Sequence, residues 1–390
     1  MTLLAENALE HGPTSDAHRT EPGNRPSPAD PLVTIALPVY NGERYVREAI
    51  DSILAQSFTN FELLISDNAS TDSTPQIIAD YARRDPRVRL HRNERNLGAA
   101  ENFNLVVELA RGDFFKWAAY DDVLAPDWLK VCVEALEREP DVMLVQTRTR
   151  VIDDEGRPMR VVAIPEGARH IVPDNPDDPD APTIRYADAY DAPRPGLLSV
   201  SSAVRFREIT RSHWMFEQFG LFRLDALRSL PLDGKYERPY GSNTVTIASV
   251  AMRSPIRELE PALFLRRYHQ AQSDNLDHDD YIAYVNPDSA KRRRGLLGKA
   301  TLPGQVRGLL DYLQQVRRSG LPLRERLACY GVVVSWCFWL VKLVWTLRHE
   351  RGMLYRLRMK FRKFTGMLTG RSVRRQRGSG DGRKRGQATA

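Results

Sequence analysis

At 390 residues, with 42% apolar residues, 25 prolines and three cysteines, the chain can hold one large domain with extensions, or two domains. Cys132, Cys329 and Cys337 exclude a disulfide framework and fit an ordinary globular protein in a reducing compartment. The net charge of +7 is unevenly placed: residues 351–390 hold 13 lysines and arginines against Asp381 alone, so this segment contributes +12 and the rest of the chain −5.

Met1 to about Asp30 is polar and proline-rich, lacks the charged-then-apolar pattern of a secretory signal, and reads as a disordered leader, residues 1–30. Leu32–Val39 is a β-branched run ending in a turn at Pro38-Val39-Tyr40-Asn41-Gly42. Glu43–Gln56 follows with helical spacing, Tyr45, Val46, Ala49, Ile50, Ile53 and Leu54 forming one stripe. Phe61–Ile65 is the second strand, and Ser73–Arg84, opened by Asp72, Ser73 and Pro75, the second helix. Val88–His91, Phe114–Trp117 and Met143–Arg150 read as further strands, with helices at Gly98–Ala110 and Ala125–Arg138. Strand and helix alternating at this spacing predict βαβ units and an α/β fold with a mostly parallel sheet flanked by helices.

Two acidic stretches stand just past strand ends: Ser66-Asp67-Asn68-Ala69-Ser70-Thr71-Asp72 and Tyr120-Asp121-Asp122. Open α/β sheets bind ligands there, and paired carboxylates suit a hard divalent cation that in turn holds phosphates.

Asp153–Tyr190 is rich in Pro, Asp and Gly, above all at Pro173–Asp180, and predicts a long surface loop or insertion over about 153–198. Helices are expected around Phe222–Leu230 and Asn243–Arg253, and a strand at Leu259–Tyr268. The remainder divides into a helical connector (276–326), a membrane-associating helical segment (327–365) and a basic disordered tail (366–390). Leu327–Leu347 has one charge, Lys342, in 21 residues, and holds Trp336, Phe338, Trp339 and Trp345. Its length approaches a bilayer span, yet it is basic on both flanks, so interfacial, spanning and domain-packed helices are all open readings. The following basic tail favours an anionic membrane surface. It lacks aromatics after Phe364 for base stacking, so no nucleic acid is expected.

Val33–Gly42, Ala55-Gln56-Ser57-Phe58, Leu64–Asp72, Arg95-Asn96-Leu97-Gly98 and Asp121-Asp122-Val123-Leu124-Ala125-Pro126, five blocks in order, together resemble the N-terminal half of a family 2 glycosyltransferase. The resemblance covers roughly residues 32–273 and implies a GT-A, Rossmann-like nucleotide-sugar-binding domain over 31–275. It implies that Pro38, Val39 and Tyr40 line a nucleobase pocket, with Asn41 beside them as a further substrate-binding residue, that Asp67 accepts from base or ribose, and that Asn96 and Gly98 lie on a loop closing over the nucleoside. Asp121 and Asp122 match the acidic motif that bridges Mg²⁺ or Mn²⁺ to the diphosphate, and Arg267 and His269 match a segment that approaches the diphosphate.

The implied activity is metal-dependent, inverting transfer of a sugar from a UDP-, GDP- or dTDP-sugar to a glycan or lipid-linked acceptor in cell-surface polysaccharide or glycolipid synthesis. The expected location is cytoplasmic, on the inner face of the cell membrane. Two departures stand out. Ala119 replaces the first acid of the family's Asp-x-Asp-Asp motif, and Asn243 stands where the family has its general base. An amide cannot take a proton from a sugar hydroxyl, which leaves Glu237, Glu217 and His213 as candidate bases. The same departures support an alternative, a catalytically impaired nucleotide-sugar or glycan-binding protein anchored at the membrane.

Overall fold

The computed structural model describes residues 31–163, 169–173, 184–186, 194–211, 216–237, 244–269 and 304–338. The chain divides into two compact units, Met1–Val333 and Val334–Ala390, and the fold below belongs to the first.

Strands β1 (Val33–Val39) and β2 (Phe61–Asp67) are buried at every position, as expected for parallel strands covered on both faces. They pair in parallel with Val39 opposite Asp67. β3 (Val88–Arg92) adds in parallel to the outer side of β2, and β4 (Phe114–Trp117) in parallel to the other side of β1. The crossovers are α1 (Val46–Leu54), α2 (Thr74–Arg84) and α3 (Ala99–Leu109). α1 buries Val46, Ala49, Ile50 and Ile53 against the sheet, the stripe that its spacing predicts. After β4 come β5 (Val123–Leu124), α4 (Trp128–Arg138) and β6 (Leu144–Ile152). Across the described sheet the order is β3-β2-β1-β4-β10-β6-β7-β8-β9, and β11 (Ile256–Arg267) pairs with β6 and β5. β10 (Leu221–Arg223) runs antiparallel between β4 and β6, so β3, β2, β1, β4, β6 and β11 all point the same way. The expected α/β class with a mostly parallel central sheet is borne out.

Local expectations are corrected in three places. The segment expected as a surface loop carries β7 (Pro158–Ala163), β8 (Arg169–Pro173) and β9 (Ile184–Tyr186), an antiparallel extension of the sheet. Its entry is a tight turn in which Asp153 Oδ1 accepts from the N–H groups of Glu155 (3.0 Å) and Arg157 (2.8 Å), with Gly156 at φ 81°. Turn chemistry that read as loop composition in fact builds a hairpin. The acidic run 174–180 lies outside the described residues. Second, the helix expected at Phe222–Leu230 begins as strand β10, because pairing on both sides overrides local preference, and turns helical only in α6 (Leu224–Arg228). Third, β5 precedes α4, which starts three residues later than its pattern suggests.

α5 (Ser202–Arg211), α7 (Thr244–Arg253) and α8 (Gly304–Arg318) form a helical group in which α7 packs on both of the others. Phe206 meets Tyr312 edge-on with centroids 5.7 Å apart, and Ser249 Oγ donates to Gln315 Oε1 at 3.1 Å. A further helix, α9, runs over 323–333 in this unit. Among the described residues no helix is long and apolar enough to cross a membrane. The apolar run Leu327–Leu347 continues past residue 338, outside them.

Gly112, in the turn before β4, lies against the backbone of β1: an added Cβ would sit 2.6 Å from Thr34 N and 2.8 Å from Val33 C. Backbone cannot step aside as a flexible side chain can. Gly112→Ala is therefore expected to lower the unfolding free energy by about 1–3 kcal/mol, measured by urea denaturation. An unchanged midpoint would show that this turn yields freely.

Candidate functional site

The chain leaves β1 towards β2 and β3 on one side and later returns as β4 on the other. The carboxyl end of β1 is therefore a topological switch point, which neither crossover covers. Two loops meet there. A Cβ on Gly42, just past β1, would lie 2.8 Å from the Tyr120 ring, just past β4.

Pro38 and Val39 are buried in the end of β1, while Tyr40 is half-buried and Asn41 exposed. Asn41 adopts the left-handed region at φ 51°, donates its N–H to Ser70 Oγ (2.9 Å), and accepts from the Thr71 N–H through Oδ1 (2.9 Å). The Gly42 N–H donates to Thr74 Oγ1 (2.9 Å) and the Glu43 N–H to Asp72 Oδ2 (3.1 Å). The polar run after β2 thus stitches the turn after β1 in place. Asn41's amide oxygen takes part in that stitching.

Asp67 ends β2 and is wholly buried. Its Oδ1 accepts from the Ser70 N–H at 3.0 Å. Among the described residues its Oδ2 finds no hydrogen bond, and it lies 3.3 Å from Arg92 Nε. A buried carboxylate oxygen with so thin a complement is poised for a donor. Asn68 organises the loop that follows β3: Nδ2 donates to Asn96 Oδ1 (3.0 Å) and the Gly98 carbonyl (3.3 Å), and Oδ1 accepts from Asn93 Nδ2 (3.0 Å) and the Leu97 N–H (2.9 Å). Asn93 also donates to Asn102 Oδ1 at 3.0 Å. Gly98, at φ 88°, opens α3 and donates to Asn96 Oδ1 (2.8 Å). Asn96 and Gly98 are thus brought to the Asp67 edge. Asn93, Asn102 and Arg92 were not singled out from the sequence, because a lone Asn or Arg near a strand end carries no pattern of its own.

Past β4, Asp121 and Asp122 are both buried. Asp121 Oδ2 is 2.9 Å from His269 Nε2, and Asp122 Oδ1 accepts from the Arg267 N–H at 3.0 Å. The structure therefore gathers Asp121, Asp122, Arg267 and His269 from two distant parts of the sequence. Burial first, and the neighbouring Asp121 carboxylate second, push Asp122 up to about 7. On β4 itself, Lys116 is wholly buried, with its ammonium 4.2 Å from the Trp128 ring centre and 5.2 Å from that of Phe264, donating to the Phe219 carbonyl. Burial pulls it down to about 7, with Cys132 and Asp122 acting the other way. Tyr45, at the start of α1, puts its ring 4.9 Å from that of His269, and its buried hydroxyl has no hydrogen-bond partner among the described residues.

Arg267 stands beside the acids as expected, but its guanidinium is turned inward and is only 1% exposed. It bonds the carbonyls of Asp121, Asp153 and Asp154 and the Glu48 carboxylate, so in this geometry it does not reach out to a diphosphate.

Carboxylate oxygens are the ligands that a hard divalent cation takes. Among the described residues, no group of three or more His, Cys, Asp and Glu could enclose a metal ion. Asp121 and Asp122 fit such a cation as a partial shell, to be completed by phosphate oxygens and water, a pattern in keeping with Mg²⁺ chemistry.

The candidate bases fare differently. Glu217 is buried and ion-paired with Arg194, which also bonds Glu258 at 2.8 Å, so its carboxylate serves a structural network and is corrected as a candidate. Glu237 is half-buried; its backbone bonds Asn104 in both directions (2.7 and 3.0 Å), and Oε2 accepts from Gln218 Nε2 at 3.2 Å. His213 and Asn243 lie outside the described residues.

An open α/β sheet with carboxylates on both sides of its switch point defines the class, a domain that takes its ligand at the carboxyl ends of its strands. Residues 34–186 match the model of Glycosyl transferase family 2, and the resemblance drawn from the sequence is borne out there. The chain is 35% identical over 126 residues to chondroitin synthase of Escherichia coli (32% of this chain, 18% of that protein). It is 40% identical over 100 residues to a glycosyltransferase of Haemophilus influenzae (26% and 40%). The match thus spans less than half the length of these curated relatives. Among solved structures, Staphylococcus aureus TarS 1–349 is similar at TM-score 0.44 and 16% identity, over 77% of this chain and 88% of that one. Mannosyltransferase PcManGT of Pyrobaculum calidifontis, solved with GDP-Man and Mn²⁺, is similar at TM-score 0.42 and 17% identity, over 88% and 86%. Likeness at that distance identifies no shared site.

The raised pKa of Asp122 sets the sign of a pH effect. Below about 7 the empty site holds a proton on Asp122, which a cation must displace. Binding of Mn²⁺ to this pair is expected to weaken as pH falls through that value, by up to about tenfold per pH unit. Calorimetric titration at several pH values reads this directly; a flat affinity would contradict it.

Proposed function

We propose that this protein is a glycosyltransferase that moves a sugar from a UDP-, GDP- or dTDP-sugar to a glycan or lipid-linked acceptor in cell-surface polysaccharide or glycolipid synthesis. The observation that carries the reading is the placement of Asp67 at the end of β2 and of Asp121 and Asp122 past β4, on the two sides of the β1 switch point. In this reading Asp67 accepts hydrogen bonds from the base or ribose, and the β1 end at Pro38, Val39 and Tyr40 lines the nucleobase side. The diphosphate extends towards Asp121 and Asp122. Mg²⁺ or Mn²⁺ held by those two carboxylates would offset the negative charge that develops on the leaving diphosphate. His269, against Asp121, keeps that carboxylate oriented. Transfer with inversion is a single displacement and needs one base. Glu237 is the described carboxylate that remains for it, beside His213.

The protein is further proposed to work at the inner face of the cell membrane. Leu323 and Leu327 on α9 are 63% and 60% exposed, and Arg324 and Arg326 lie between them on either side of Glu325. The cationic segment 351–390 would add attraction to anionic lipid of about 1 kcal/mol for each Lys or Arg near the surface.

A nucleotide-sugar hydrolysis screen, with and without Mn²⁺, tests the enzyme reading against a pure binding protein, which would bind the donors and turn over none. Asp122→Asn is expected to lower nucleoside-diphosphate affinity by about tenfold or more, and only when Mn²⁺ is present. Asp67→Ala is expected to lower nucleoside-monophosphate affinity by about 10–100-fold without any metal, the worth of a hydrogen bond to a charged group. A loss seen only with metal would reverse the two roles. For the membrane, flotation with anionic vesicles at about 0.1 M salt and release near 1 M are expected, because the Debye length shrinks from about 10 to about 3 Å. Failure to bind vesicles at low salt would remove the membrane from the proposal.

A further inference from the structure

Arg267 is among the largest wholly buried side chains, and its position ties four segments together. Its own N–H holds Asp122 Oδ1 at 3.0 Å, and its Nε donates to the Asp121 carbonyl at 3.0 Å. Nη1 donates to the carbonyls of Asp153 (2.9 Å) and Asp154 (3.1 Å), in the turn between β6 and β7. Nη2 meets Glu48 Oε2 at 2.5 Å on the first turn of α1, and the Tyr45 ring lies 4.9 Å from the guanidinium carbon. Both acids of the pair are therefore tethered to one residue, one through its carbonyl and the other through its carboxylate.

We propose that Arg267 is a positioning residue that fixes the Asp121–Asp122 pair in the geometry that receives a metal–diphosphate, with Glu48 as its counter-ion. The inference rests on the proposed reading of that pair. A buried cation is tolerated only when it is paired and its donors are met, and here three carbonyls and a carboxylate meet them. The planar fork of Arg, with five N–H donors in fixed directions, can serve acceptors on three segments at once. A Lys ammonium in its place keeps the charge but not the directions. Glu48 is half exposed on the outside of the cluster and contacts neither acid in the described geometry, so it acts on the pair only through Arg267.

The test compares the full-length protein with Arg267→Lys and Glu48→Gln. The probe is whichever of UDP, GDP and dTDP the unmodified protein binds best, together with the matching monophosphate, each titrated calorimetrically with and without Mn²⁺ alongside a thermal melt. In Arg267→Lys the gain in diphosphate affinity that Mn²⁺ gives is expected to fall by about tenfold or more, while monophosphate affinity stays within about twofold and the melt stays cooperative. Glu48→Gln is expected to lose part of the same gain and nothing else. The inference is overturned if Arg267→Lys keeps the full Mn²⁺ gain, or if it loses monophosphate and diphosphate affinity in equal proportion. Should Arg267→Lys not fold, Glu48→Gln decides, and an unchanged gain overturns the inference. An unmodified protein that binds the diphosphate no better with Mn²⁺ removes the metal–diphosphate reading itself, and this inference with it.

Discussion

The site exists because a parallel sheet must change direction once. β1, β2 and β3 wind to one side and β4 starts the other, so the carboxyl end of β1 is flanked by two loops that diverge and neither crossover covers it. Everything at the site is arranged around that gap. The turn after β1 is held by side chains of the turn after β2, through Asn41, Ser70, Thr71, Asp72 and Thr74. The loop after β3 is held by Asn68 and Asn93. The sheet supplies rigid strand ends, and amide and hydroxyl groups, together with the Asp72 carboxylate, fix the loops.

Charge is the second constraint. Asp67, Asp121 and Asp122 are all buried near one sheet edge, and uncompensated burial of three carboxylates is costly. Each is offset differently. Asp67 takes a backbone N–H and the distant edge of Arg92. Asp121 takes His269. Asp122 takes the Arg267 N–H and still keeps a pKa far above the ordinary carboxylate range. Lys116 lies within electrostatic reach of Asp122, yet its own burial depresses it to about 7. Lys116 is thereby a weak counter-charge, and its ammonium also lies over the Trp128 and Phe264 rings and donates to the Phe219 carbonyl.

Much of this was legible in the sequence where a pattern repeats. The stripe on α1, the fully apolar runs of β1 and β2 and the acids just past strand ends follow from periodicity and polarity alone. Arg267 shows the limit. The resemblance implied a cation approaching the diphosphate, but whether a guanidinium turns outward or inward depends on what the fold brings beside it. Here that is the turn at Asp153–Asp154 and Glu48, more than a hundred and two hundred residues away in sequence. The strands β7 to β9 were obscured for a related reason: Pro, Asp and Gly are as apt for the turns of a hairpin as for a loop, and composition does not separate the two. Glu217, a candidate base on residue type alone, is paired with Arg194, which also holds Glu258, and no local pattern in the sequence signals that pairing.

The incomplete ligand shell has a consequence for order of binding. Two carboxylates, one of them raised towards neutrality when the pair is empty, offer a lone cation little. A diphosphate alone would meet carboxylate repulsion at the same place. On the proposed reading each therefore makes room for the other: the cation screens the acids from the diphosphate, and the diphosphate completes the cation's shell. Such mutual enhancement is reciprocal by linkage, so whatever factor Mn²⁺ adds to diphosphate affinity, the diphosphate adds to Mn²⁺ affinity. Tight cation binding without nucleotide would call for a third protein ligand beyond Asp121 and Asp122, and the described residues supply none in a cluster with them.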